Sequence, residues 1–137
     1  MIDKFQGNTK WLSNFQEVTF NFKGIEWPTT EHAYQAMKCK NTLEFLNVLN
    51  AATPGEAKRL GGKCEMFPLF ENYKIDIMYE INKCKFDQNM RLQMMLIGTG
   101  SQELIEGNAW GDRFWGVYEG EGRNELGKIL MRIRSEL

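Results

Sequence analysis

Apolar side chains recur along most of this chain at spacings of three, four and seven residues, the period of an amphipathic helix. The longest run predicts a helix of about four turns over residues 70–86. Its apolar face would comprise Phe70, Tyr73, Ile77, Ile81 and Cys84. The most regular run predicts a C-terminal helix that Asn124 caps and that carries apolar residues as far as Leu137.

Shorter runs predict helices over residues 42–52, 54–61 and 92–98. In the first of these, Leu43, Leu46 and Leu49 are expected to face the core. Strand-like alternation occurs around Phe20 and Phe22, where Lys23-Gly24 offers a hairpin turn. The expected fold class is therefore mainly α, or α+β with a few short strands, in one compact domain over residues 1–137.

A further helix is predicted in the stretch WPTTEHAYQAMKCK, residues 27–40. Thr29 or Thr30 can supply its N-cap, which places Glu31 in the first turn. Glu31, Gln35 and Lys38 then share one polar stripe. Two interpretations stay open at this point. The stripe is either an ordinary solvated face or a place where Glu31 acts as a buried acid/base at the floor of a pocket.

Lysines on the predicted helices are candidates for binding an anionic ligand. Lys74 and Lys85 lie nearly in line because eleven residues make almost three full turns. Either they extend to solvent at the two ends of an apolar strip, or they reach a phosphate. Lys58 lies on the short helix 54–61, which Thr53 caps.

Residues 104–122, LIEGNAWGDRFWGVYEGEG, show neither helical nor strand period and contain five glycines. Asn108, Asp112 and the ring of Trp115 make this segment a candidate binding loop. The structural alternative is that the tryptophans fill the core and Asp112 caps a turn. Asn14 and Phe15, in the segment WLSNF, are likewise either core residues or a stacking and hydrogen-bonding wall for a heterocyclic ligand.

Composition narrows the functional classes. The chain has 17 basic and 18 acidic side chains and 42% apolar residues, which argues against disorder and against nucleic-acid binding driven by net charge. It has neither a long apolar run nor a secretory signal, so we expect a cytoplasmic protein and no membrane partner. Three scattered cysteines are expected to be reduced thiols. With one histidine, they give a metal site poor support.

Several segments together resemble the YbiA/NADAR family. They are LSNF at 12–15, WPTTEHAYQAMK at 27–38, AKRLG at 57–61, KFDQN at 85–89, GTG at 98–100, LIEGN through FWG at 104–116 and GRNELGKILM at 122–131. They cover essentially the whole chain in the family's order. The resemblance implies a compact, mainly helical fold and hydrolysis of an N-glycosidic bond between a ribose and a base-like nitrogen.

The resemblance places the family's acid on Glu31 and the Asp and Trp of its carboxy-terminal loop on Asp112 and Trp115, and we assign the other roles from the chemistry that this reaction needs. The catalytic candidates are Glu31, Asp112 and Trp115. The substrate-binding candidates are Asn14, Phe15, His32, Gln35, Lys58, Lys74, Lys85, Asn108 and Asn124. Among them, Glu31 would act on water and the ribosyl cation, Asp112 would be a partner acid or ribose anchor, and the lysines would hold phosphate. This chemistry needs no cofactor or metal.

Three alternatives for the function stay open, two with different substrates and one without catalysis. A phosphorylated riboflavin-pathway intermediate is favoured, because a net charge near zero does not favour binding to duplexes. The others are ADP-ribosyl-guanine in nucleic acid, or an ADP-ribose or nucleotide sensor without catalysis. Pro68, Phe70 and Val117 stand where family members often have Arg, Trp and an acid, so the substrate preference is expected to differ from the family's.

Overall fold

Helices account for most of the regular structure, and strands are few and short, so the prediction of a mainly α chain is confirmed. The computed structural model describes residues 1–137. They divide into two units, one formed by Asn14–Gln88 and the other by Met1–Ser13 together with Asn89–Leu137. A single domain over the whole chain stays a prediction.

The unit Asn14–Gln88 consists of a β-hairpin and four helices. Its elements are β1 (Phe20–Phe22), β2 (Ile25–Trp27), α1 (Thr30–Lys38), α2 (Thr42–Leu49), α3 (Pro54–Gly61) and α4 (Phe70–Asp87). The strands pair antiparallel. At the turn, Lys23 and Gly24 both have positive φ, 55° and 78°, as a two-residue hairpin requires. The predicted hairpin is confirmed.

Helix α1 is the centre of this unit, since it contacts α2, α3 and α4. Thr29 caps it by accepting a hydrogen bond from the backbone N–H of His32. Every residue from Thr30 to Ala36 is buried. The interpretation of its polar stripe as a solvated face is therefore wrong, and Glu31 is a buried acid.

The predicted core face of α2 is wrong. Leu43 and Leu46 are 66% and 44% exposed, whereas Val48 is fully buried. Apolar residues occur on every side of this helix, TLEFLNVL. Leucine spacing alone therefore did not identify the side that packs against α1 and α3.

The predicted apolar face of α4 is wrong in part. Tyr73 is 57% exposed, and the buried side near the middle of the helix is formed by Met78, Ile81, Asn82 and Lys85. Contacts with α1 and β1 decide this orientation. The stripe that carries Lys85 thus faces the core.

The second unit contains two helices, a pair of two-residue strands and a 3-10 helix that the sequence did not predict. Its elements are the 3-10 helix (Gly7–Leu12), α5 (Met90–Gly98), β3 (Gly107–Asn108), β4 (Val117–Tyr118) and α6 (Glu125–Glu136). Strands β3 and β4 pair parallel. Helix α6 buries Leu126, Leu130 and Ile133, as predicted, while Leu137 is 39% exposed.

Asn124 precedes α6 but does not cap it. Its backbone has φ 53°, and its side chain makes no capping hydrogen bond. Instead, Oδ1 accepts from the Glu106 N–H at 3.0 Å and Nδ2 donates to the Leu104 carbonyl at 2.9 Å. The predicted cap is wrong because this amide already fixes the backbone before β3.

None of the helices combines the length and apolar character that crossing a membrane requires. The three cysteines are free thiols, as predicted.

Candidate active site

Glu31 is buried in the first turn of α1, with 7% of its surface exposed. One turn later, Gln35 Nε2 donates to Glu31 Oε1 at 2.8 Å. The spacing of four residues places both side chains on one side of the helix. Gln35 thereby fixes the direction of the carboxylate, so the structure brings these two candidates together.

Helix α3 holds Gln35 in place through Gly61. A β-carbon on Gly61 would overlap the Gln35 side chain, so only glycine permits α3 to pack this closely against α1. Gln35 Oε1 is buried and accepts no hydrogen bond. A buried acceptor without a donor is costly, and such groups are rare outside functional sites.

Asn14 connects the start of α1 to α4. Its backbone carbonyl accepts from the Glu31 N–H at 3.0 Å, and its Oδ1 accepts from the Thr30 hydroxyl at 2.9 Å. On the other side, Asn82 Nδ2 lies 3.4 Å from Asn14 Oδ1, and Asn14 Nδ2 lies 3.4 Å from the Met78 sulfur. Asn14 therefore supports the backbone of Glu31 and is not a free ligand donor.

Asn82 belongs to the same buried cluster, and the sequence analysis missed it. It is fully buried, yet its Oδ1 has no hydrogen-bond partner. Nδ2 donates to the Met78 carbonyl at 3.1 Å, which fixes the amide orientation. Its position on the stripe between Met78 and Lys85 was the available signal, since an amide inside an apolar stripe requires a polar partner.

Lys85 is fully buried on α4. Burial lowers the pKa of Lys85 to about 7, because a low-dielectric environment disfavours the ammonium. The interpretation that it extends to solvent is wrong. An amine that is about half protonated at neutral pH also fits a phosphate-holding role poorly and a proton-transfer role better.

Lys38 is a second residue that the sequence analysis did not assign to the site, although it shares a stripe with Glu31. Burial lowers the pKa of Lys38, and the Glu31 carboxylate opposes this shift by raising it, as does Glu71. Its Nζ lies 5.3 Å from the centre of the Tyr34 ring. Lys38 therefore brings a cation into the surroundings of Glu31.

The other predicted lysines lie nearer the surface. Lys74 Nζ pairs with Glu71 at 2.5 Å, and its side chain is 18% exposed. It also lowers the pKa of Lys38 by like-charge repulsion, so the two ammonium groups lie in one region. Lys58 is on the exposed side of α3.

His32 was predicted to bind substrate, but both of its ring nitrogens have partners within the protein. Nε2 lies 3.0 Å from the Ala51 carbonyl, and Nδ1 lies 2.7 Å from the Thr29 hydroxyl. Since a carbonyl can only accept, Nε2 carries the proton in the neutral ring and Nδ1 accepts from Thr29. His32 thus ties α1 to the segment that follows α2, and the structure gives it a structural role.

Asp112 and Asn108 fold the loop between β3 and β4. Asn108 Oδ1 accepts from the Asp112 N–H at 3.0 Å, and Asn108 Nδ2 donates to the Asp112 carbonyl at 2.8 Å. Asp112 Oδ1 accepts from the N–H groups of Phe114 and Trp115 at 3.0 and 2.9 Å. Of the two interpretations of Asp112, the geometry matches the turn cap. Its role as a partner acid stays a prediction.

The predicted aromatic contacts also stay predictions. Trp115 is half-buried and stacks edge-on against Phe114, with ring centres 4.8 Å apart. Phe15 is half-buried in the other unit. Asn124 was predicted to bind sugar or base. Its side chain instead hydrogen-bonds the backbone of Leu104 and Glu106, so that assignment is not supported.

No group of three or more His, Cys, Asp and Glu side chains is arranged to hold a metal ion.

Residues 3–137 match the sequence profile of the NADAR domain. The chain is 36% identical over 133 residues to an N-glycosidase of Nostoc punctiforme, which covers 92% of this chain and 84% of that protein. It is 32% identical over 130 residues to N-glycosidase YbiA of Escherichia coli, which covers 92% and 80% of the two chains.

Longer proteins match as well. A riboflavin biosynthesis protein of Vibrio vulnificus is 38% identical over 133 residues, but the match spans 95% of this chain and only 36% of that protein. Among solved structures, the NMR structure of Escherichia coli YbiA gives a TM-score of 0.87 at 28% identity, covering 99% of this chain and 86% of that one. The domain match and the identity to these relatives show that this chain belongs to the NADAR family.

Proposed function

We propose that this protein is an N-glycosidase that hydrolyses the bond between C1′ of a phosphorylated ribose and a base-like nitrogen. The observation that carries the proposal is the buried Glu31 carboxylate, which Gln35 orients at 2.8 Å. Relatives named N-glycosidase support the reaction class. Relatives named riboflavin biosynthesis proteins support a phosphorylated riboflavin-pathway intermediate as the substrate.

Glu31 would act on the sugar. Cleavage of a ribosyl C–N bond passes through a state with oxocarbenium character, which a nearby carboxylate stabilises. The same carboxylate can orient or deprotonate the water that attacks C1′. Burial strengthens both effects, since charges interact more strongly where water is excluded.

Lys85 would serve the departing nitrogen. As the C1′–N bond breaks, its electron pair stays on the nitrogen, which then needs a proton. An ammonium with a pKa of about 7 can donate that proton and recover it at neutral pH, because acid/base catalysis is most effective when the pKa lies near the working pH. In this proposal, Lys38 and Lys74 take over the binding of the substrate phosphate.

Asp112 keeps the turn-capping role described above. Trp115 stays the predicted stacking partner of the base.

The test compares the native protein with a Glu31→Gln variant on a phosphorylated ribosylamino-pyrimidine, with products read by mass spectrometry. We expect the native protein to release free pyrimidine and ribose phosphate, and the variant to be at least about a hundredfold slower. Glu65→Gln is the matched control, because this carboxylate is 68% exposed, and its rate should be unchanged.

Three outcomes would contradict the proposal. Equal rates for the native protein and Glu31→Gln would remove Glu31 from the reaction. Release of ADP-ribose from an ADP-ribosyl-guanine oligonucleotide, with no action on the pyrimidine, would assign a nucleic-acid substrate. Tight binding of ADP-ribose without any product would make the protein a sensor.

A further inference from the structure

A groove of about 880 Å³ runs along the side of α4 that carries Tyr73, Ile77 and Glu80, and we call it the outer groove. Its floor includes the buried rings of Phe22 and Phe70, and its edges include Phe67 and Tyr73. These two edge rings are 49% and 57% exposed. Exposed aromatic side chains clustered around a concave apolar surface are typical of a binding surface.

Two carboxylates of α4 line this groove without an ion pair. The acids near the ends of the helix, Glu71 and Asp87, each pair with a lysine of the same helix. Asp76 and Glu80, which both line the groove, take part in no salt bridge. They are four residues apart, so their like charges repel each other and destabilise the helix slightly. A cation placed in the groove would remove that repulsion.

The outer groove is elongated along the helix axis. The α4 residues that line it run from Phe70 through Ile77 to Cys84, which is a span of about 21 Å or four helical turns. The facing wall is formed by the hairpin turn and by Phe67 and Pro68, which precede α4. This shape fits a helix laid alongside α4 better than a compact small molecule.

We propose that the outer groove docks an amphipathic helical segment of a partner protein that carries lysines or arginines four residues apart. Its apolar stripe would lie on the ring-lined floor, and its two cations would meet Asp76 and Glu80. Phe67 and Tyr73 add attraction, because aromatic faces bind cations. The lining contains one basic residue, Lys23, against these two acids, so the groove favours a basic partner.

The test uses the full-length protein and two fluorescent peptides of about four helical turns. Both peptides carry a leucine stripe, and they differ in having either lysines or glutamates at two positions four residues apart. Binding is measured by fluorescence anisotropy. We expect the lysine peptide to bind with a Kd on the order of 10 µM, to weaken as salt is added, and the glutamate peptide to bind at least about tenfold more weakly.

Charge reversal in the protein locates the site. A double variant with Asp76→Lys and Glu80→Lys should lose at least about tenfold in affinity for the lysine peptide and gain affinity for the glutamate peptide. The control double variant, with Asp87→Lys and Glu103→Lys, changes the net charge equally at two exposed positions outside the groove, and it should bind like the native protein. Circular dichroism and thermal melting confirm that both variants fold.

Four results would overturn the proposal. The first is that the lysine peptide does not bind the native protein, and the second is that both peptides bind it with equal affinity. The third is that the control variant loses as much affinity for the lysine peptide as the groove variant does. The fourth is that sedimentation equilibrium shows the native protein to be a dimer and the groove variant to be a monomer. The occupant of the groove would then be a second copy of this chain. Turnover of the N-glycosyl substrate should be the same in both double variants, so the docking result is independent of the proposed catalytic function.

Discussion

Gly61 of α3 lies against the side chain of Gln35, so closely that a β-carbon at this position would overlap the amide. The same amide donates to Glu31 at 2.8 Å. A glycine 30 residues away in the sequence thus sets the position of the candidate catalytic carboxylate, because it decides whether Gln35 can lie between α1 and α3.

Gly61→Ala is expected to displace Gln35 and release Glu31. Overpacking of this kind costs about 1–3 kcal/mol in the free energy of unfolding, and we expect kcat to fall at least about tenfold. Denaturant unfolding and steady-state kinetics measure the two effects. Gly62→Ala is the matched control, since a β-carbon there meets only ordinary contacts of 3.4 and 3.5 Å. Equal behaviour of the two variants would disprove the role of Gly61.

Gln35→Met keeps the volume of the side chain and removes its N–H donor. A hydrogen bond to a charged group contributes about 1.5–3 kcal/mol, so we expect kcat to fall about ten- to a hundredfold. KM should change less if the main role of Gln35 is this hydrogen bond, which orients the Glu31 carboxylate. A variant that raises KM alone would instead restore Gln35 to the predicted role of substrate binder.

Asn82→Leu tests whether the unpartnered amide oxygen receives a hydrogen bond from the substrate. Leucine has a similar shape and removes a buried acceptor, so the free energy of unfolding should change by no more than about 1 kcal/mol. The KM for the N-glycosyl substrate should rise about tenfold. If stability collapses and KM in the remaining folded protein is native-like, Asn82 is structural.

Lys85 should make stability depend on pH. Its pKa is about 7 in the folded protein and near the ordinary lysine value of about 10.4 when unfolded. Between pH 7 and pH 9 the unfolded chain therefore holds more protons at this amine, and the free energy of unfolding rises with pH, by at most about 1.4 kcal/mol per unit. Well below pH 7 the contribution of this group no longer changes, because both the folded and the unfolded states are then protonated.

Lys85→Met should remove that rise and stabilise the protein at pH 7, while it abolishes turnover. Urea unfolding at pH 7, 8 and 9 measures the slope. An unchanged slope in the variant would show that Lys85 is charged in the folded state.

Cys39 should resist alkylation in the folded protein. Burial, with the neighbouring Cys64 thiol, raises the pKa of Cys39 to about 12, and the thiolate is the reactive form. With iodoacetamide at pH 8, we expect Cys39 to be modified after Cys84, whose thiol is half-buried. Peptide mapping by mass spectrometry gives the order, and early labelling of Cys39 would contradict its burial.

Local features of the fold were predictable from the sequence because they depend on neighbouring residues. The Thr29 cap, the Thr53 cap that accepts from the Glu56 N–H, and the Lys23-Gly24 turn each involve atoms within four residues. Backbone geometry alone brings these atoms together. Glu31 could be named as the acid for the same reason, since its place in the first turn follows from the cap.

What the sequence could not decide was which groups are buried and which atoms face each other across sequence distance. On α2, Val48 is buried in the protein core, whereas Leu43 is exposed. On α4, Lys85 is fully buried and has a lowered pKa, whereas Lys74 lies nearer the surface. These differences arise from the contacts that α1 makes with α2, α3 and α4 and that α2 makes with α3. Burial depends on packing of distant segments, so an amphipathic pattern gives the helix but not always its inner face.

The sequence by itself determined the helices, the hairpin, the family and the candidate acid. Only the tertiary structure showed that Gln35 donates a hydrogen bond to Glu31 and that Asn82 lies buried in the same polar cluster. It also showed that the side chains of His32 and Asn124 make hydrogen bonds within the protein. The physical reason is that a hydrogen bond is specific to distance and angle. The sequence shows which hydrogen-bond donors and acceptors the chain contains, whereas tertiary packing decides which acceptor each donor reaches.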